Sequence, residues 1–330
     1  MKLFFRLLRE SFIFSFNAII ANPVRTILSL LGVTIGIFTI IAVLTTVDSL
    51  EKSIKDNLSF LGTDNIRVEK WPWDFDNPSY EWWKFWKRPE PTYREYEFLK
   101  ENLSSALSVE ISTNRGISNV KYLNNSSSVD NLNGVVYENQ FFNDWDFIAG
   151  RFFTQNETII GLDAVIIGYK IMKDLFRSPE NAIGKQIKIK GRSFTVIGVQ
   201  SEQGESFGGG DSYDRQMSIP FNTFKKMFRV GGKGSNAVIR IKGDSKIDPG
   251  LVNLEYEVKG LLRAKRGLKP IEEDNFAINR PEYLASFVSI IFGTISIAGW
   301  VIASFSILVG GFGIANIMFV SVKERVPIIG

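Results

Sequence analysis

The residue types that most often carry out chemistry in proteins are missing from this chain. Its 330 residues contain no histidine and no cysteine. Histidine is the commonest general base and metal ligand, and cysteine provides thiol catalysis, disulfides and thiolate metal sites. The composition removes these chemistries, and we expect no bound metal and no cofactor.

The glycine-rich segments also lack the residues that bind phosphate. Gly184-Lys185 has no matching glycine before it, and Gly208-Gly209-Gly210 is followed by Asp and Ser rather than Lys. The acidic run Glu272-Glu273-Asp274 precedes a helical segment and is typical of a solvated turn. Because no nucleophile elbow, zinc motif or dinucleotide fingerprint occurs either, the sequence predicts that the chain is not an enzyme and does not hydrolyse ATP.

The longest uncharged segment predicts a single long helix. Residues 283–322 are forty in succession without Asp, Glu, Lys or Arg. The turn signal at residues 310–313 would leave nine residues for a return crossing, whereas a membrane span needs about 20. One straight helix would reach ~60 Å, against a hydrocarbon core of ~30 Å. About half of it is therefore expected to project beyond the bilayer.

A second apolar segment lies near the N-terminus. Residues 26–47 are uncharged and long enough to span. Apolar residues then continue at helical spacing, at Leu50, Ile54, Leu58 and Leu61. With Gly62 as the C-cap, this helix overshoots the membrane by ~20 Å. Two helices that overshoot on one side predict a two-helix transmembrane stalk that carries the residues between them.

Basic residues flank the outer ends of both apolar segments. Arg6, Arg9 and Arg25 precede the first segment, and Lys323 and Arg325 follow the second. The positive-inside rule then places both chain ends in the cytoplasm, and the large domain between them on the far side, which is the periplasm in a cell with an outer membrane. The net charge of +4 is small, so no nucleic-acid partner is expected.

The first 22 residues predict a separate element. Apolar residues share one helical face, at Phe5, Leu8, Phe12, Phe16, Ile19 and Ile20. This pattern predicts an N-terminal amphipathic helix over residues 1–22, lying in the cytoplasmic lipid interface. The alternative is an extension of the first span, which Asn22-Pro23 would interrupt.

The residues between the helices predict an α+β extracytoplasmic domain. Helices are expected over residues 92–102, where Thr92 and Glu95 form a capping box, over 141–148, 222–228 and 251–266, and from 168 to 176. Strands are expected at 65–69, 164–167, 217–220 and 237–241, with short strands over 106–137 around a polar loop at 124–128 and a hairpin over 185–198. The predicted boundaries are 24–61 for the first span and stalk, 62–280 for the domain, 281–322 for the second span and stalk, and 323–330 for a cytoplasmic segment.

An aromatic insertion over residues 71–90 stands out in this domain. Five of the seven tryptophans lie between Trp71 and Trp86. Such a cluster predicts either a docking surface, because aromatic rings provide large contact area, or a small core folded against its own domain. The second interpretation is favoured.

Small residues recur at four-residue spacing in both apolar segments. Gly32 and Gly36 form such a pair in the first, and Gly310, Gly311 and Ala315 belong to the second, which also holds the pair Gly299 and Ala303. Small residues let helix backbones approach closely in membranes. We expect these positions to pack helices together, and the lack of ionisable side chains argues against an ion pathway.

Several segments, in the right order, resemble the MacB-like and FtsX-like ABC transporter permeases. They are residues 26–36, 61–63, 150–154, 165–168, 175–176, 183–185, 194–199, 310–318 and 320–325. The resemblance implies a permease that dimerises with itself or a related permease and pairs with a separate cytoplasmic ATPase. It also implies that Val322, Lys323, Glu324 and Arg325 form the coupling contact to that ATPase, in the bacterial inner membrane, with a periplasmic adaptor and outer-membrane channel as further partners.

The resemblance leaves alternatives that the residues do not separate. The family continues with two more spans where this chain stops, so a truncated fragment is expected. A regulatory FtsX-type protein that relays ATPase state to a cell-wall enzyme, a lipoprotein-release permease and a membrane-anchored binding module are the competing functions. An exporter that transmits ATPase-driven motion through the stalk is the favoured hypothesis, and its substrate is left open.

Overall fold

A computed structural model describes residues 23–58, 64–73, 80–204, 213–230 and 235–329, with isolated positions before residue 23. The chain divides into two compact units. One comprises residues 1–55 with 288–330, and the other comprises residues 56–287. The predicted N-terminal amphipathic helix, Leu61, Gly62, most of the loop at 202–213 and part of the aromatic insertion lie outside the described residues.

The helices of the described chain range from one turn to 49 residues. They are α1 Pro23–Leu58, α2 Trp82–Phe85, α3 Tyr93–Asn102, α4 Gln155–Ile160, α5 Tyr169–Phe176, α6 Phe221–Met227, α7 Val252–Arg266 and α8 Pro281–Ile329. Short 3₁₀ turns occupy Tyr137–Phe141, Tyr213–Arg215 and Pro249–Leu251.

Twelve described strands form one mixed sheet. They are β1 Asn65–Glu69, β2 Ser108–Gly116, β3 Asn119–Tyr122, β4 Asn125–Ser128, β5 Asn131–Val135, β6 Phe147–Gly150, β7 Ala164–Ile167, β8 Gln186–Ile189, β9 Arg192–Gln200, β10 Gln216–Pro220, β11 Asn236–Lys242 and β12 Ala277–Asn279. Their order is β12-β1-β11-β2-β5-β10-β7-β9-β8-β3-β4, and β6 pairs with β9. The β5–β10 and β7–β9 pairs are parallel. The predicted α+β fold class is confirmed for this domain.

The long uncharged segment forms one helix, as predicted. α8 runs from Pro281 to Ile329 without a break, through the glycines at 310–313. Two stretches, Thr34–Lys55 of α1 and Pro281–Gly313 of α8, are long and apolar enough to cross a membrane. Hydroxyl groups there donate to their own helix: Thr46 Oγ1 lies 2.7 Å from the Ala42 carbonyl oxygen. Such bonds satisfy polar groups that an apolar solvent could not.

Half of the sheet buries one face beneath α3 and α7. On β1, β2 and β11, alternate residues such as Ile66, Ile111 and Ile239 are fully buried. They pack in one cluster with Leu99 of α3 and Leu254 of α7. Alternation arises because successive side chains on a strand point to opposite faces. The intervening residues of these strands therefore face the other way.

A second cluster supports the other half of the sheet. Residues of β7, β9 and β10 pack with Ile171 and Leu175 of α5 and with Phe224 of α6. The hairpin predicted for 185–198 is present as β8 and β9. Lys190 and Gly191 at its turn both have positive φ, at 49° and 85°. This geometry is the type I′ pattern that matches the twist of paired strands.

Two local predictions are wrong. Residues 124–128, expected as a polar loop, include strand β4, which pairs with β3 because serine and asparagine tolerate an exposed edge strand. The helix expected over 141–148 is absent from those described residues: Phe142 ends the preceding 3₁₀ turn, and β6 begins at Phe147. Aromatic spacing there reflects packing of Trp145 on Phe147 and Phe152 rather than a helical face.

Two helices of the described chain, α2 and α4, were not predicted. The short helix α4 follows Thr154, whose side chain accepts from the Glu157 N–H while the Glu157 carboxylate accepts from the Thr154 N–H. This is the same capping box that predicted α3 from Thr92 and Glu95, and that prediction is confirmed. The signal was therefore present in the sequence at both positions.

Candidate functional site

The predicted coupling residues lie on the last turns of α8. The helix continues through all four of them to Ile329. Val322 and Lys323 are exposed, and the side chains of Glu324 and Arg325 lie outside the described residues. An exposed apolar and basic pair on a helix is available for contact with another protein, but coupling itself stays a prediction.

The predicted helix-packing positions differ in their surroundings. Gly36, Gly310 and Ala315 are half-buried, whereas Gly311 is exposed and a Cβ added to it would meet nothing within 4 Å. The surroundings of Gly32 lie outside the described residues. The role of these five residues in packing stays a prediction.

A close approach between the two long helices occurs at the neighbouring small pair. A Cβ added at Gly299 of α8 would lie 3.3 Å from Cδ2 of Leu44 on α1. Ala303, one turn further along α8, is only 2% exposed. Small residues at these two positions therefore permit contact between α1 and α8.

The start of α8 is bonded to its own domain. Arg280, which immediately precedes the helix, donates from Nε to Glu255 Oε2 of α7 at 2.8 Å and from Nη1 to the Gly250 carbonyl at 2.5 Å. Next to it, Asn279 donates to the Trp71 carbonyl at 2.8 Å and accepts from the Trp73 N–H at 2.9 Å. The Arg280 bonds are charge-assisted and therefore stronger than hydrogen bonds between neutral groups such as those of Asn279.

The ends of both long helices lead to neighbouring strands. β1 follows α1, β12 precedes α8, and the two strands pair with Arg67 opposite Asn279. β1 also pairs with β11 in the body of the sheet. The first turn of α8 therefore follows directly on the edge strand of the sheet.

The described part of the aromatic insertion is partly packed and partly exposed. Trp71 meets Trp86 edge-on with ring centroids 6.2 Å apart, and the Lys70 ammonium lies 5.4 Å from the Trp71 centroid. Trp82, Trp83 and Trp86 are nevertheless 55%, 55% and 65% exposed. These three rings are not core residues, so the favoured interpretation of a self-contained core does not hold for this half of the insertion.

A large polar cleft lies on the sheet face opposite α3 and α7. We call it the sheet cleft. Its volume is about 740 Å³. Ser112, Asn114, Asn133, Ser218 and Asn236 form its floor, and Trp71, Trp73, Phe142 and Trp145 are among its walls. Trp71, Trp73 and Glu90 belong to the aromatic insertion, for which a docking surface was one interpretation, but no other residue of this cleft was predicted as a site. The signal was present, since β2, β5 and β11 carry polar residues at alternate positions although they lie inside the sheet.

Most charged groups of the sheet cleft are paired, and Asp144, which also lines the cleft, is exposed and has no ion pair among the described residues. Arg67 Nε lies 2.7 Å from Glu69 Oε1, and Lys70 Nζ lies 3.9 Å from Glu90 Oε1. Burial raises the pKa of Glu90, while the Ala237 N–H and Lys70 favour its charged form. Paired charges are partly neutralised and leave little net field for an ionic ligand.

A buried network closes one side of the cleft. Arg240 of β11 is paired with the fully buried Glu110 of β2. Asn139 donates to Glu110 at 2.6 Å, and Asn143 accepts from Arg240 at 3.0 Å. Trp145 Nε1 donates to Asn139 Oδ1 at 3.1 Å. The network holds the 3₁₀ turn and Trp145 against the sheet.

Among the described residues, no group of three or more carboxylates suited to a metal ion occurs. The domain presents a polar cleft, exposed aromatic rings and two helix attachments. The described residues thus form an α+β domain that lies in the chain between two helices long and apolar enough to span a membrane.

The chain belongs to the family of the MacB-like periplasmic core domain, whose sequence profile matches residues 26–262. The family resemblance inferred from the sequence motifs is thereby confirmed.

Curated relatives extend the similarity over nearly the whole chain. A protein of Wolinella succinogenes named "Macrolide export ATP-binding/permease protein MacB" is 28% identical over 97% of this chain and 47% of its own length. A protein of Pseudomonas savastanoi pv. phaseolicola named "Pyoverdine export ATP-binding/permease protein PvdT" is 26% identical over 94% of this chain and 44% of its own length. The chain thus spans about half the length of these relatives.

A solved structure shares the fold of the domain. The periplasmic region of MacB from Actinobacillus actinomycetemcomitans matches with a TM-score of 0.54 at 19% identity. The match covers 72% of this chain and 98% of that structure. It shows the fold of the domain between the two long helices.

Proposed function

We propose that this chain is the permease part of an ABC exporter in the bacterial inner membrane, with its α+β domain in the periplasm. Its family membership and the names of its relatives support export. The two relatives are named for different substrates, so the family leaves the substrate of this chain open. ATP would be hydrolysed in a separate domain or subunit, since the chain has no phosphate-binding loop.

The single observation that carries the mechanism is the unbroken helix α8. It begins at Pro281, two residues after β12, and ends at Ile329, beyond the basic residues Lys323 and Arg325. An α-helix bonded along its whole length transmits displacement from one end to the other, because every peptide group is tied to the next turn. α1 and α8 would form the stalk between a cytoplasmic ATPase and the sheet.

The attachment of α8 supports transmission at the outer end. Arg280 ties the helix start to Glu255 and to the Gly250 carbonyl, and β12 pairs with β1. A shift of α8 would therefore move the sheet edge rather than bend a loop. The mobile parts would then be the two domains of a permease dimer, which open and close around their substrate.

The proposal is tested at the C-terminal end of α8, which is the proposed cytoplasmic end of the stalk. In the permease coexpressed with its ATPase, Lys323→Glu/Arg325→Glu is expected to abolish stimulation of ATP hydrolysis by the permease and export together. Charge reversal replaces attraction by repulsion at a contact made of charged side chains. The measurement is ATPase rate and export in reconstituted vesicles.

The matched control reverses the charge of two lysines in the α+β domain. Lys121 and Lys188 are exposed and lie opposite each other on β3 and β8. Lys121→Glu/Lys188→Glu is expected to leave both activities unchanged. If the 323/325 variant assembles normally and keeps full stimulated ATPase and export, the assignment of the coupling segment is wrong.

A further inference from the structure

The floor of the sheet cleft contains a row of neutral polar side chains across four neighbouring strands. Asn236 of β11 lies opposite Asn114 of β2, Asn114 lies opposite Asn133 of β5, and Asn133 lies opposite Ser218 of β10. Residues directly opposite on adjacent strands point to the same face. With strands ~4.8 Å apart, the row is ~14 Å long.

Several of these groups have unused hydrogen-bonding capacity. Asn133 Nδ2 donates to Gln216 Oε1 at 3.0 Å, which orients both amides. Asn114 and Asn236 are exposed, and their side chains make no hydrogen bond to the described residues. Each amide offers both donors and an acceptor. A molecule seated on the row would therefore meet groups that can give and receive hydrogen bonds.

The charges in the cleft argue against an ionic occupant. Arg67 is paired with Glu69, Lys70 with Glu90, and Arg240 with the buried Glu110. A phosphate would have to break one of these pairs and leave the other charge unpaired, which is costly. Asp144, the remaining charged residue of the lining, has no ion pair among the described residues, but it is exposed, and a solvent-exposed ion pair with a cation contributes little. The occupant expected on this ground is neutral.

The amides argue against a purely apolar occupant. Covering Asn114 and Asn236 with hydrocarbon would bury donors and acceptors without partners. Hydroxyl groups match them, because a hydroxyl, like an amide, both donates and accepts. An extended peptide is a weaker fit, since it gains most of its affinity from unpaired strand edges, and the backbones of the floor strands are already paired on both sides.

Aromatic side chains complete the site. Trp71, Trp73, Phe142 and Trp145 line the same cleft as the amide row. Apolar ring faces beside precisely placed polar groups are the usual composition of a small-molecule pocket. The C–H faces of a sugar ring suit such rings, while its hydroxyl edges suit the amides.

We propose that the sheet cleft binds a neutral, hydroxyl-rich ligand, namely a short oligosaccharide or the glycan part of a larger molecule. Asn114, Asn133 and Asn236 bind its hydroxyl groups, and the aromatic walls pack on its ring faces. The site does not depend on coupling to an ATPase, so its failure and the failure of the exporter proposal are distinguishable.

The test is direct binding to the full chain in detergent. Chitotriose, cellotriose and the tripeptide trialanine are titrated while tryptophan fluorescence and heat are recorded. At least one saccharide is expected to bind saturably, with a dissociation constant of about 1 mM or tighter. Because recognition is neutral, the constant should change little between low and high salt.

Variants locate the binding. Asn114→Ala/Asn236→Ala is expected to weaken saccharide binding at least about tenfold without changing the melting temperature, since both side chains are exposed. Asn119→Ala, an exposed asparagine on β3 away from the cleft, is the matched control and should bind as the wild type does. Failure of both saccharides to bind, unaltered binding by the double variant, or binding of trialanine alone would overturn the proposal.

Discussion

The two faces of strands β1, β2 and β11 differ in composition and burial, although the same backbone carries both. On one face Ile66, Ile111 and Ile239 are fully buried beneath α3 and α7. On the other face the same strands present Arg67, Ser112, Asn114, Asn236 and Arg240 to the sheet cleft. Successive residues of one strand thus have separate roles: those on the apolar face stabilise the fold, and those on the polar face form the proposed binding site.

The difference shows how this domain keeps a polar cleft in the middle of a sheet. The apolar face supplies hydrophobic stabilisation of ~25 cal/mol per Å² of buried area. The polar face is tolerated because its charges are paired and its remaining amides are exposed or bonded to each other. Substitutions on the two faces should therefore have separable consequences.

The largest loss of stability is expected at the buried end of the polar face, at the Glu110–Arg240 pair. Glu110→Ala would leave Arg240 without its carboxylate partner in a site where Arg240 is 6% exposed. Removing one member of a buried pair typically costs ~3–5 kcal/mol. Chemical unfolding of the full chain in detergent measures this loss.

The double variant Glu110→Ala/Arg240→Ala is its control. It removes both charges and should recover part of the lost stability, because no uncompensated charge is left. A Glu110→Ala protein as stable as the wild type would show that the pair is not needed and that the polar face has no buried electrostatic component.

A smaller loss of stability is expected from a substitution on the apolar face. Ile111→Val removes one methylene group from a fully buried side chain and should destabilise the protein by ~0.5–1.5 kcal/mol. Saccharide binding should not change. Thermal unfolding and the binding titration are measured on the same sample.

The neighbouring residue on the opposite face provides the comparison. Ser112→Ala should change the stability by less than ~0.5 kcal/mol, as expected for a partly exposed side chain without strong contacts. Equal destabilisation by the two variants would contradict the separation of roles between the faces.

A modest effect on stability is expected away from both faces, at the N-terminus of α4. The hydrogen bond from Arg151, together with the Thr154 N–H, lowers the pKa of Glu157 to about 2, from an ordinary value of 4.5. A lowered pKa in the folded state stabilises the protein above pH 4.5, and this contribution is lost as the pH falls towards 2. Glu157→Gln should cost up to ~1 kcal/mol at neutral pH.

The pH dependence of this stability difference shows whether the charge of Glu157 causes it. The difference in stability between wild type and Glu157→Gln should shrink steadily from pH 4.5 downwards, as measured by denaturation at each pH. Arg151→Gln should reproduce this behaviour, because it removes the other half of the ion pair. A difference that does not depend on pH would show that the negative charge of Glu157 is not the cause of the stabilisation.

Local patterns determined a large part of this structure. The uncharged run at 283–322 predicted one helix, because nothing within it disfavours helical continuation strongly enough to end it. Thr92 with Glu95 predicted the start of α3, and the alternating residues on either side of Gly191-Arg192 predicted the β8–β9 hairpin, whose turn lies one residue earlier, at Lys190-Gly191. Each of these depends on residues within a few positions of one another, where the sequence alone specifies the interactions.

Pairing between distant strands was decided only by the tertiary structure. Asn114 and Asn236 are separated by 122 residues, yet they lie directly opposite each other, and β4 became a strand because β3 was available to pair with it. The sequence shows polar residues at alternate positions but not which strands they join. The sheet cleft exists because register brings those residues together, and register is set by burial of the whole opposite face rather than by any local signal.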